Sequence, residues 1–425
     1  MTIDAPIKQS ALSFQHDFPV FQREEEGVRS GLAFHYLDNA ATTQRPQCVI
    51  DALTEHYLNT NANPYRGMYR DSLMATAEYE QSRIETATFV GADPDELIFT
   101  RNTTESINLV AMSYALAHIK EGDDIVLPIS EHHSDLVPWQ RVCERTGARL
   151  VFMKIDAQGA IPEEEFEKIG PRTKLVACAH ISNVLGTIFP IEHIAKVAHS
   201  VGARVLIDCA QSAGHLPLRF HEWDIDFAAF SGHKMYGPMG IGALFIKREL
   251  QEQMEPFMLG GEMVDTVWEQ KTAFQTGPRK FEAGTPNVDG AIGLKQAIRY
   301  VQSIGFDEIQ RREQELTSYL LERLRALPQV TIYGSAEPAQ TRVGIVSFNV
   351  AGVDPQDVGL MLDAHNVCIR TGSHCAQPLH RRLGVERSCR ASLGIYNTKD
   401  DIDTLVDPLD SLRDVVTKRI LGMFP

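Results

Sequence analysis

The sequence predicts an α/β protein in which a large domain, built on a mainly parallel seven-stranded sheet, precedes a smaller α+β C-terminal domain. Up to about residue 290, short apolar runs alternate with helical patterns. Two of these runs, at residues 175–179 and 205–207, are apolar at every position. Continuous apolarity is typical of strands whose two faces are both covered by helices, as in a parallel sheet. After residue 290 the alternation gives way to a long charged helix and separate strand-like runs.

The predicted elements follow this pattern along the chain. Residues 1–30 are polar and irregular, so we expect a loosely packed N-terminal arm. The large domain, residues 31–290, has predicted helices at 104–119 and 191–201 and strands at 96–100, 124–127, 149–153, 174–180, 204–208, 226–230 and 242–246. The small domain, residues 291–425, has predicted helices at 306–327, at 355–365 and at its end, with strand-like runs at 330–333, 343–350 and 367–370.

The composition argues against several classes of partner. A formal charge of −15, from 41 basic and 56 acidic residues, disfavours binding to nucleic acid or an anionic membrane. The N-terminal residues lack the charged and apolar regions of a secretory signal, and no apolar run is long enough to cross a bilayer. Seven cysteines, an odd number without close pairs, favour a reducing cytoplasm and a reactive thiol over disulfides.

Polar side chains follow three predicted strands, at the sheet edge where α/β proteins bind ligands. They are Asp208 with Gln211, the segment from Ser231 to Lys234, and Thr103 with Thr104 at a helix start. An amine, a carboxylate and a helix N-terminus with hydroxyls suit pyridoxal 5′-phosphate (PLP), which needs a Schiff-base lysine, a pyridinium partner and a phosphate site. Taken singly, each group has an ordinary interpretation as a cap, a helix start or a solvated lysine. Their conjunction favours the cofactor.

Long motifs carry a resemblance to a known family. The segment 230–238 (FSGHKMYGP) closely resembles the PLP-lysine motif of cysteine desulfurases. Together with 208–211 (DCAQ), it is similar to the SufS-type (group II) branch of the class V aminotransferase family. Further matching blocks lie at 36–41, 131–133, 137–140, 182–187, 279–287 and 396–398, in the family's order and over nearly the whole chain.

The resemblance implies a PLP-dependent transferase of fold type I that forms a homodimer. By matching position, Lys234 would form the Schiff base and Asp208 would pair with the pyridinium nitrogen. Gln211 would bind the phenolic oxygen, His132 would stack on the ring, and Asn183 would lie near ring and substrate. The phosphate would be bound by Thr103, Thr104, Ser231 and His233, joined by Thr285 of the partner subunit. For the adjacent His133 we expect a structural role, because neighbouring side chains point apart.

The segment 367–378 resembles the loop that carries the nucleophilic cysteine in group II enzymes, which identifies Cys375. Its neighbours Arg370, His374 and His380 are potential cations, and positive groups lower a thiol's pKa. The segment 389–393 resembles the family strand whose arginine, here Arg390, binds the substrate carboxylate, and Arg370 is a second candidate for substrate binding. A rival interpretation is a zinc site that uses Cys368, Cys375, Cys389 and a histidine, but no Cys-x-x-Cys pair occurs, so we predict no metal site.

The implied activity is conversion of L-cysteine to L-alanine, with sulfur transferred to Cys375 as a persulfide. A SufE-like or SufU-like protein would accept that sulfur for iron–sulfur cluster assembly. His132 is the candidate proton donor. The alternatives are a selenocysteine lyase, another fold-type-I reaction such as epimerisation or transamination, and a non-catalytic PLP-binding regulator. Three positions depart from the usual family pattern, at Asp135, Leu259 and Ser373.

Overall fold

The computed structural model describes residues 14–23, 31–335 and 341–420. Its helices are α1 Gln47–Asn59, α2 Arg70–Phe89, α3 Thr103–Val110, α4 Leu116–His118, α5 Val137–Thr146, α6 Ile191–Ser200, α7 Arg248–Gln251, α8 Val288–Ile304, α9 Phe306–Arg325, α10 Pro355–Asp363, α11 Gln377–Arg382 and α12 Lys399–Ile420. The strands are β1 His35–Tyr36, β2 Leu97–Thr100, β3 Asp124–Pro128, β4 Arg149–Met153, β5 Thr173–Ala179, β6 Arg204–Asp208, β7 Phe227–Ser231, β8 Gly242–Ile246, β9 Val264–Val267, β10 Thr272–Phe274, β11 Val330–Tyr333, β12 Ile345–Val350, β13 Val367–Cys368, β14 Arg370–Gly372 and β15 Ser388–Ser392.

The central sheet has seven strands in the order β2-β8-β7-β6-β5-β3-β4. Strand β8 runs antiparallel to its two neighbours, and every other neighbouring pair is parallel. All seven strands predicted from the sequence are present, each within one residue at either end, and the predicted fold class is confirmed. Because β2, β6 and β7 point the same way, their carboxyl ends meet at one edge of the sheet.

Alternate residues of each central strand enter different hydrophobic cores. In β6, Val205 and Ile207 pack into the core that includes helices α2, α6 and α8. Leu206, between them, faces the opposite core with helices α3 and α5. All three side chains are fully buried. Burial on both faces is the reason that the runs 175–179 and 205–207 are apolar at every position, as the sequence indicated.

The C-terminal part contains a four-stranded antiparallel sheet in the order β11-β12-β15-β14, packed against α9, α10 and α12. The predicted run at 367–370 divides here into two strands. Strand β13 pairs in parallel with β1, His35 opposite Val367, whereas β14 joins the antiparallel sheet. Residues 35–36, which we assigned to the large domain, therefore pair with the C-terminal part, and the boundary at residue 290 remains a proposal.

The prediction of a loosely packed arm is wrong for residues 14–23. They form two short 3₁₀ turns, and the Phe18 side chain is fully buried. Its ring centroid lies 4.6 Å from that of Tyr396 and 5.7 Å from that of Tyr300. An aromatic cluster thus fixes this segment to the body of the protein. The other residues of the predicted arm, 1–13 and 24–30, lie outside the described residues. Among the described helices, none has the length and apolarity that a membrane span requires.

Candidate active site

A cavity of about 280 Å³ opens at the carboxyl edge of the central sheet. It is bounded by the ends of β2, β6 and β7 on one side and by residues of the C-terminal part on the other. Twelve of the thirteen predicted site residues line it: Thr103, Thr104, His132, Asn183, Asp208, Gln211, Ser231, His233, Lys234, Arg370, Cys375 and Arg390. Residues far apart in the chain therefore meet around one space.

Lys234 and Asp208 lie at the ends of two adjacent parallel strands, at the base of this cavity. Asp208 ends β6, and Lys234 lies in the 3₁₀ turn Gly232–Lys234 that follows β7. Burial lowers the pKa of the Lys234 amine to about 8, although the charge of Asp208 opposes this effect. Burial also raises the pKa of Asp208, while a hydrogen bond from the Ala210 amide (2.8 Å) and the charge of Lys234 both favour its ionised form.

Hydroxyl and amide groups converge at the N-terminus of α3. The Ser231 hydroxyl lies 2.9 Å from the Thr103 amide, which donates to it, and 2.8 Å from the Thr103 hydroxyl. The Thr104 hydroxyl lies 2.7 Å from that of Ser134. Nδ1 of His233 is buried and has no hydrogen-bond partner among the described residues. Burial lowers the pKa of His233 to about 4, so its ring is neutral at pH 7. The helix N-terminus and these donors together can bind an oxyanion.

His132 is neutral, and its tautomer follows from one hydrogen bond. Burial, followed by the charge of Lys234, lowers the pKa of His132 to about 3. Its Nδ1 accepts a hydrogen bond from the Ser134 amide at 3.0 Å. The ring proton is therefore on Nε2, where it can be donated. Beyond the end of β6, the Gln211 side chain is buried and donates to the Ala40 carbonyl at 2.9 Å.

Two arginines enter the cavity from the C-terminal part. Arg390, on β15, is buried and donates from Nη1 to the Asn183 carbonyl at 2.7 Å. Its Nη2 lies 3.4 Å from a carboxylate oxygen of Asp38, and the exposed Arg370 reaches the other oxygen at 3.3 Å. Nε of Arg390 is buried without a hydrogen-bond partner among the described residues. A guanidinium with an unused N–H is prepared to bind an anion such as a carboxylate.

Cys375 is exposed and lies on a loop with an unusual backbone. His374 and Cys375 both have positive φ, at 48° and 55°. Such consecutive left-handed residues cost roughly 1–3 kcal/mol each and persist only where the surroundings stabilise them. The Cys375 carbonyl accepts from the His133 amide at 2.7 Å, and the His374 carbonyl accepts from the Asn183 side chain at 2.7 Å. These contacts fix the thiol at the cavity wall.

The histidines near Cys375 do not supply the positive charge that their sequence positions suggested. Burial lowers the pKa of His374 to about 2 and also lowers that of His380. Both rings approach the Ser388 hydroxyl, at 3.0 and 3.1 Å. They are neutral at pH 7, so the prediction that they stabilise a thiolate electrostatically is wrong. Among the residues lining the cavity, the permanent cations are the guanidinium groups of Arg370 and Arg390.

Thr285 is the predicted site residue that does not line the cavity. It is exposed in the single chain, and its role from the partner subunit remains a prediction. The predicted structural role of His133 agrees with its contacts, because its amide and its ring both bond to the loop of Cys375. The three cysteines of the zinc alternative are not gathered in the described part of the chain, where the one group of potential metal ligands is Asp93, Glu96 and His221.

Three functional neighbours were missed in the sequence. Asp38 contacts both arginines, Ser134 contacts Thr104 and His132, and Asn102 caps α3 at the cavity edge. Asp38 and Ser134 lie within or directly beside motif blocks, at 36–41 and 131–133, so proximity to a motif was an available signal. Asn102 precedes a helix start, which is the common position of a capping asparagine.

The fold and the cavity define an enzyme of the PLP-dependent transferase class, with a lysine and a carboxylate at the ends of neighbouring parallel strands. The chain belongs to the class V aminotransferase family, whose sequence model matches residues 35–405.

Within that family, the chain is similar to proteins named as cysteine desulfurases. A probable cysteine desulfurase of Halalkalibacterium halodurans is 47% identical, covering 93% of this chain and 96% of its own. The apo structure of cysteine desulfurase from Thermococcus onnurineus NA1 has a TM-score of 0.89 and 40% identity, covering 94% and 97% of the two chains. The cysteine desulfurase CsdA from Escherichia coli, solved as an S-sulfonic acid, has a TM-score of 0.85 and 36% identity, covering 97% and 100%.

Proposed function

We propose that this protein is a PLP-dependent cysteine desulfurase that converts L-cysteine to L-alanine and receives the sulfur on Cys375. The observation that carries the proposal is the convergence of three groups on one cavity: the amine of Lys234, the thiol of Cys375 and the guanidinium of Arg390. Each group suits one part of the reaction, namely cofactor attachment, sulfur transfer and recognition of the substrate carboxylate.

The residues of the cavity fit the cofactor. Buried Asp208 offers a carboxylate to the pyridine nitrogen, and the unpartnered Nδ1 of His233 lies beside the hydroxyls of Ser231 and Thr103, where a phosphate would bind. PLP supplies an aldehyde that condenses with amines and a ring that accepts electrons from the substrate α-carbon. Gln211, His132 and Asn183 would complete the contacts to the ring, and Thr104 would add a hydroxyl to the phosphate site.

The substrate would be oriented through its carboxylate. Arg390 has an unused Nε–H and shares the Asp38 carboxylate with Arg370, so an incoming carboxylate can replace Asp38 as the partner of one guanidinium or both. Asn183 connects this binding to the loop of Cys375. Its backbone carbonyl accepts a hydrogen bond from Arg390, and its side-chain amide donates one to the His374 carbonyl. Substrate recognition and the position of Cys375 are thereby connected.

Proton transfer would use two groups of the cavity. A pKa of about 8 leaves part of the Lys234 population as a free amine at neutral pH, and such an amine can accept the proton of the substrate α-carbon. The neutral His132 ring, protonated on Nε2, is the candidate donor to the substrate's β-carbon. In the sulfur step, the Cys375 thiolate attacks the substrate sulfur. An S–S bond forms, the Cβ–S bond breaks, and its electron pair stays on Cβ, which takes a proton and becomes the methyl group of alanine.

The persulfide needs an acceptor, and we propose a small protein of the SufE or SufU kind that feeds iron–sulfur cluster assembly. The exposed position of Cys375 supports this, because a partner's thiol must reach the sulfur. We also propose a homodimer in which Thr285 of the partner subunit completes the phosphate site.

The test compares three variants for cofactor colour, alanine formation and a sulfur adduct detected by mass spectrometry. Cys375→Ser is expected to keep the cofactor absorption and to lose both the adduct and alanine formation from cysteine. Lys234→Ala is expected to lose the absorption of the lysine-bound cofactor. Cys48→Ser, at a half-buried thiol outside the cavity, is the control and should match the parent protein.

Each reverse outcome contradicts a specific role. Full alanine formation by Cys375→Ser would refute its role as sulfur acceptor. If activity with cysteine were lost but activity with selenocysteine fully retained, the cysteine residue would serve sulfur transfer alone and the lyase alternative would gain support. No alanine from the parent protein would favour the regulator alternative.

A further inference from the structure

Two carboxyl side chains are buried directly behind the proposed cofactor site. Glu131 follows β3, and Asp135 lies four residues later, in the 3₁₀ turn His133–Asp135 just before α5. Glu131 is 1% exposed and Asp135 is completely buried. His132, between them in sequence, lines the cavity, whereas neither carboxyl does. The proposed mechanism uses neither group, although burying an ionised carboxylate without a cation is costly.

The hydrogen bonds of the pair leave one oxygen without a donor. Oδ1 of Asp135 accepts from the Trp139 indole at 2.8 Å. Both oxygens of Glu131 share a single donor, the Ala179 amide, at 3.1 and 3.0 Å. Oδ2 of Asp135 is buried and receives no N–H or O–H from any other described residue. Glu131 and Asp135 lie close enough for each carboxyl to act on the pKa of the other. Since a carboxylate only accepts, Oδ2 of Asp135 can gain a donor within this pair only if one of the two carboxyls holds a proton.

The surrounding charges also favour such a proton. Burial raises the pKa of both carboxyls well above the usual range, and the negative charge of Asp208 raises each pKa further. The other titratable group facing the pair is the Cys178 thiol on β5, whose pKa burial also raises. The charges that act most strongly on these two carboxyls are negative ones, from Asp208 and from the pair itself. Asp208, by contrast, has Lys234 nearby to favour its ionised form.

We propose that Glu131 and Asp135 share one proton and act as a positioning pair that holds the charge behind Asp208 constant. The pair then carries one negative charge, and Asp208 remains the carboxylate that faces the cofactor site. Loss of the shared proton at alkaline pH would place three carboxylates together in the interior and would weaken that site. The inference relies on the proposed function only for the identity of the group that Asp208 holds.

Because residue 135 is an aspartate, the interaction between its side chain and that of Glu131 depends on pH. An asparagine at this position would offer a permanent N–H to Glu131 and could still accept from Trp139. With aspartate, the same contact exists only while the proton is present. Asp135→Asn therefore preserves the shape of the side chain and removes the titration. The variant is a direct test.

The first measurement is difference infrared spectroscopy of the holoenzyme at about pH 7 in H₂O and D₂O. A protonated carboxyl has a C=O stretch, sensitive to D₂O, in a spectral region where carboxylates do not absorb. The parent protein is expected to show this band, and Asp135→Asn is expected to lose it. Glu164→Gln, which removes an exposed carboxyl far from the pair in sequence, should keep it. Absence of the band from the parent protein, or its persistence in Asp135→Asn, would overturn the proposal.

The second measurement follows thermal unfolding and cofactor absorption from about pH 6 to pH 9. A carboxyl whose pKa is raised on folding contributes stability below its unfolded pKa of about 4, and that contribution is lost as the pH rises through the folded pKa. As the pH rises, the melting temperature and the cofactor absorption of the parent protein should therefore fall more than those of Asp135→Asn. Parallel pH profiles would contradict the shared proton. Neither result depends on whether cysteine is the substrate, so desulfurase activity at pH 7 tests the proposed function separately.

Discussion

The Arg390 guanidinium has more hydrogen-bonding capacity than its surroundings use. Nη1 donates to the Asn183 carbonyl, Nη2 approaches Asp38, and Nε is buried without a partner among the described residues. Burial lowers the pKa of Arg390, yet a guanidinium starts from a pKa so high that it stays charged. A buried, charged and incompletely bonded arginine stabilises the free enzyme poorly, which is the expected condition of a residue reserved for an anionic substrate.

Arg390→Lys should weaken substrate recognition while the positive charge is retained. Lysine lacks the planar fork that holds two carboxylate oxygens in parallel, so about 1.5–3 kcal/mol of charge-assisted hydrogen bonding is lost. We expect kcat/KM for cysteine to fall about 10- to 100-fold, mainly through KM. Steady-state alanine formation measures both constants. Arg141→Lys, at an exposed arginine paired with Glu144, should leave them unchanged. An unchanged KM in Arg390→Lys would refute carboxylate binding by this residue.

Single residues were predictable where motifs identify them and unpredictable where burial decides their state. Lys234, Asp208 and Cys375 are found by motif and lie together around the cavity. The charge of His374 was predicted wrongly, because sequence proximity to Cys375 contains no information about burial, and burial removes the proton. The proton shared by Glu131 and Asp135 was equally inaccessible. It follows from counting donors around two buried carboxyls, which requires coordinates.

The loop that carries Cys375 connects strand β14 to helix α11, and its position depends on contacts to distant elements. The segment from His132 to Asp135 contacts this loop on one side. The His133 amide donates to the Cys375 carbonyl at 2.7 Å, and the Nε2 atom of the His133 ring accepts from the Gln377 amide at 3.3 Å. Burial lowers the pKa of His133, which keeps Nε2 available as an acceptor at neutral pH. The loop that holds His132 at the cavity thus also anchors the loop of Cys375.

Removal of the His133 ring should loosen the loop of Cys375 without changing substrate binding. His133→Ala loses one hydrogen bond of about 0.5–1.5 kcal/mol, so kcat should fall about two- to tenfold with little change in KM. Hydrogen exchange of the peptide containing Gln377 should become faster. His133→Gln, whose amide oxygen can accept in place of Nε2, should restore part of both properties. Equal losses in KM and kcat, or no change in exchange, would contradict a positioning role.

Elements were predictable where they are long or buried on both faces. The central strands β5 and β6 follow from runs that are apolar at every position, and α9 and β11 appear within two residues of their predicted bounds. The two-residue strands β1 and β13 were not predicted as a pair, because a ladder of that length has no periodicity and its partners lie more than 300 residues apart. The hairpin β9–β10 was missed too, since exposed strands lack an apolar pattern.

At the scale of the whole molecule, the cavity exists because the central sheet and the C-terminal sheet are held together. Several contacts cross between them besides those of Asn183. The Ser347 hydroxyl donates to the Val184 carbonyl. The backbones of Thr187 and Arg342 form an isolated antiparallel β-bridge. The His215 ring forms an ion pair with the Glu313 carboxylate at 2.8 Å. Glu313 also accepts from the Gly344 amide at 2.9 Å. The relative position of the Lys234 amine and the Cys375 thiol is therefore determined by packing far from either group, which no local motif encodes.

The pair of His215 and Glu313 should make stability depend on pH in a defined direction. Burial alone would lower the pKa of His215, but the Glu313 carboxylate outweighs it and raises that pKa. A histidine with a raised pKa contributes its full stability below the unfolded value of about 6.5 and loses it as the pH rises through the folded pKa. Glu313→Gln keeps an acceptor for Gly344 but removes the charge. We expect thermal unfolding to show a loss of about 2 kcal/mol at pH 6 and a much smaller loss at pH 9. Glu315→Gln, an exposed neighbour on α9, should show little change at either pH. Equal losses for Glu313→Gln at both pH values would mean that the carboxylate contributes independently of the charge of His215, which would contradict the ion pair as the contact that joins the two sheets.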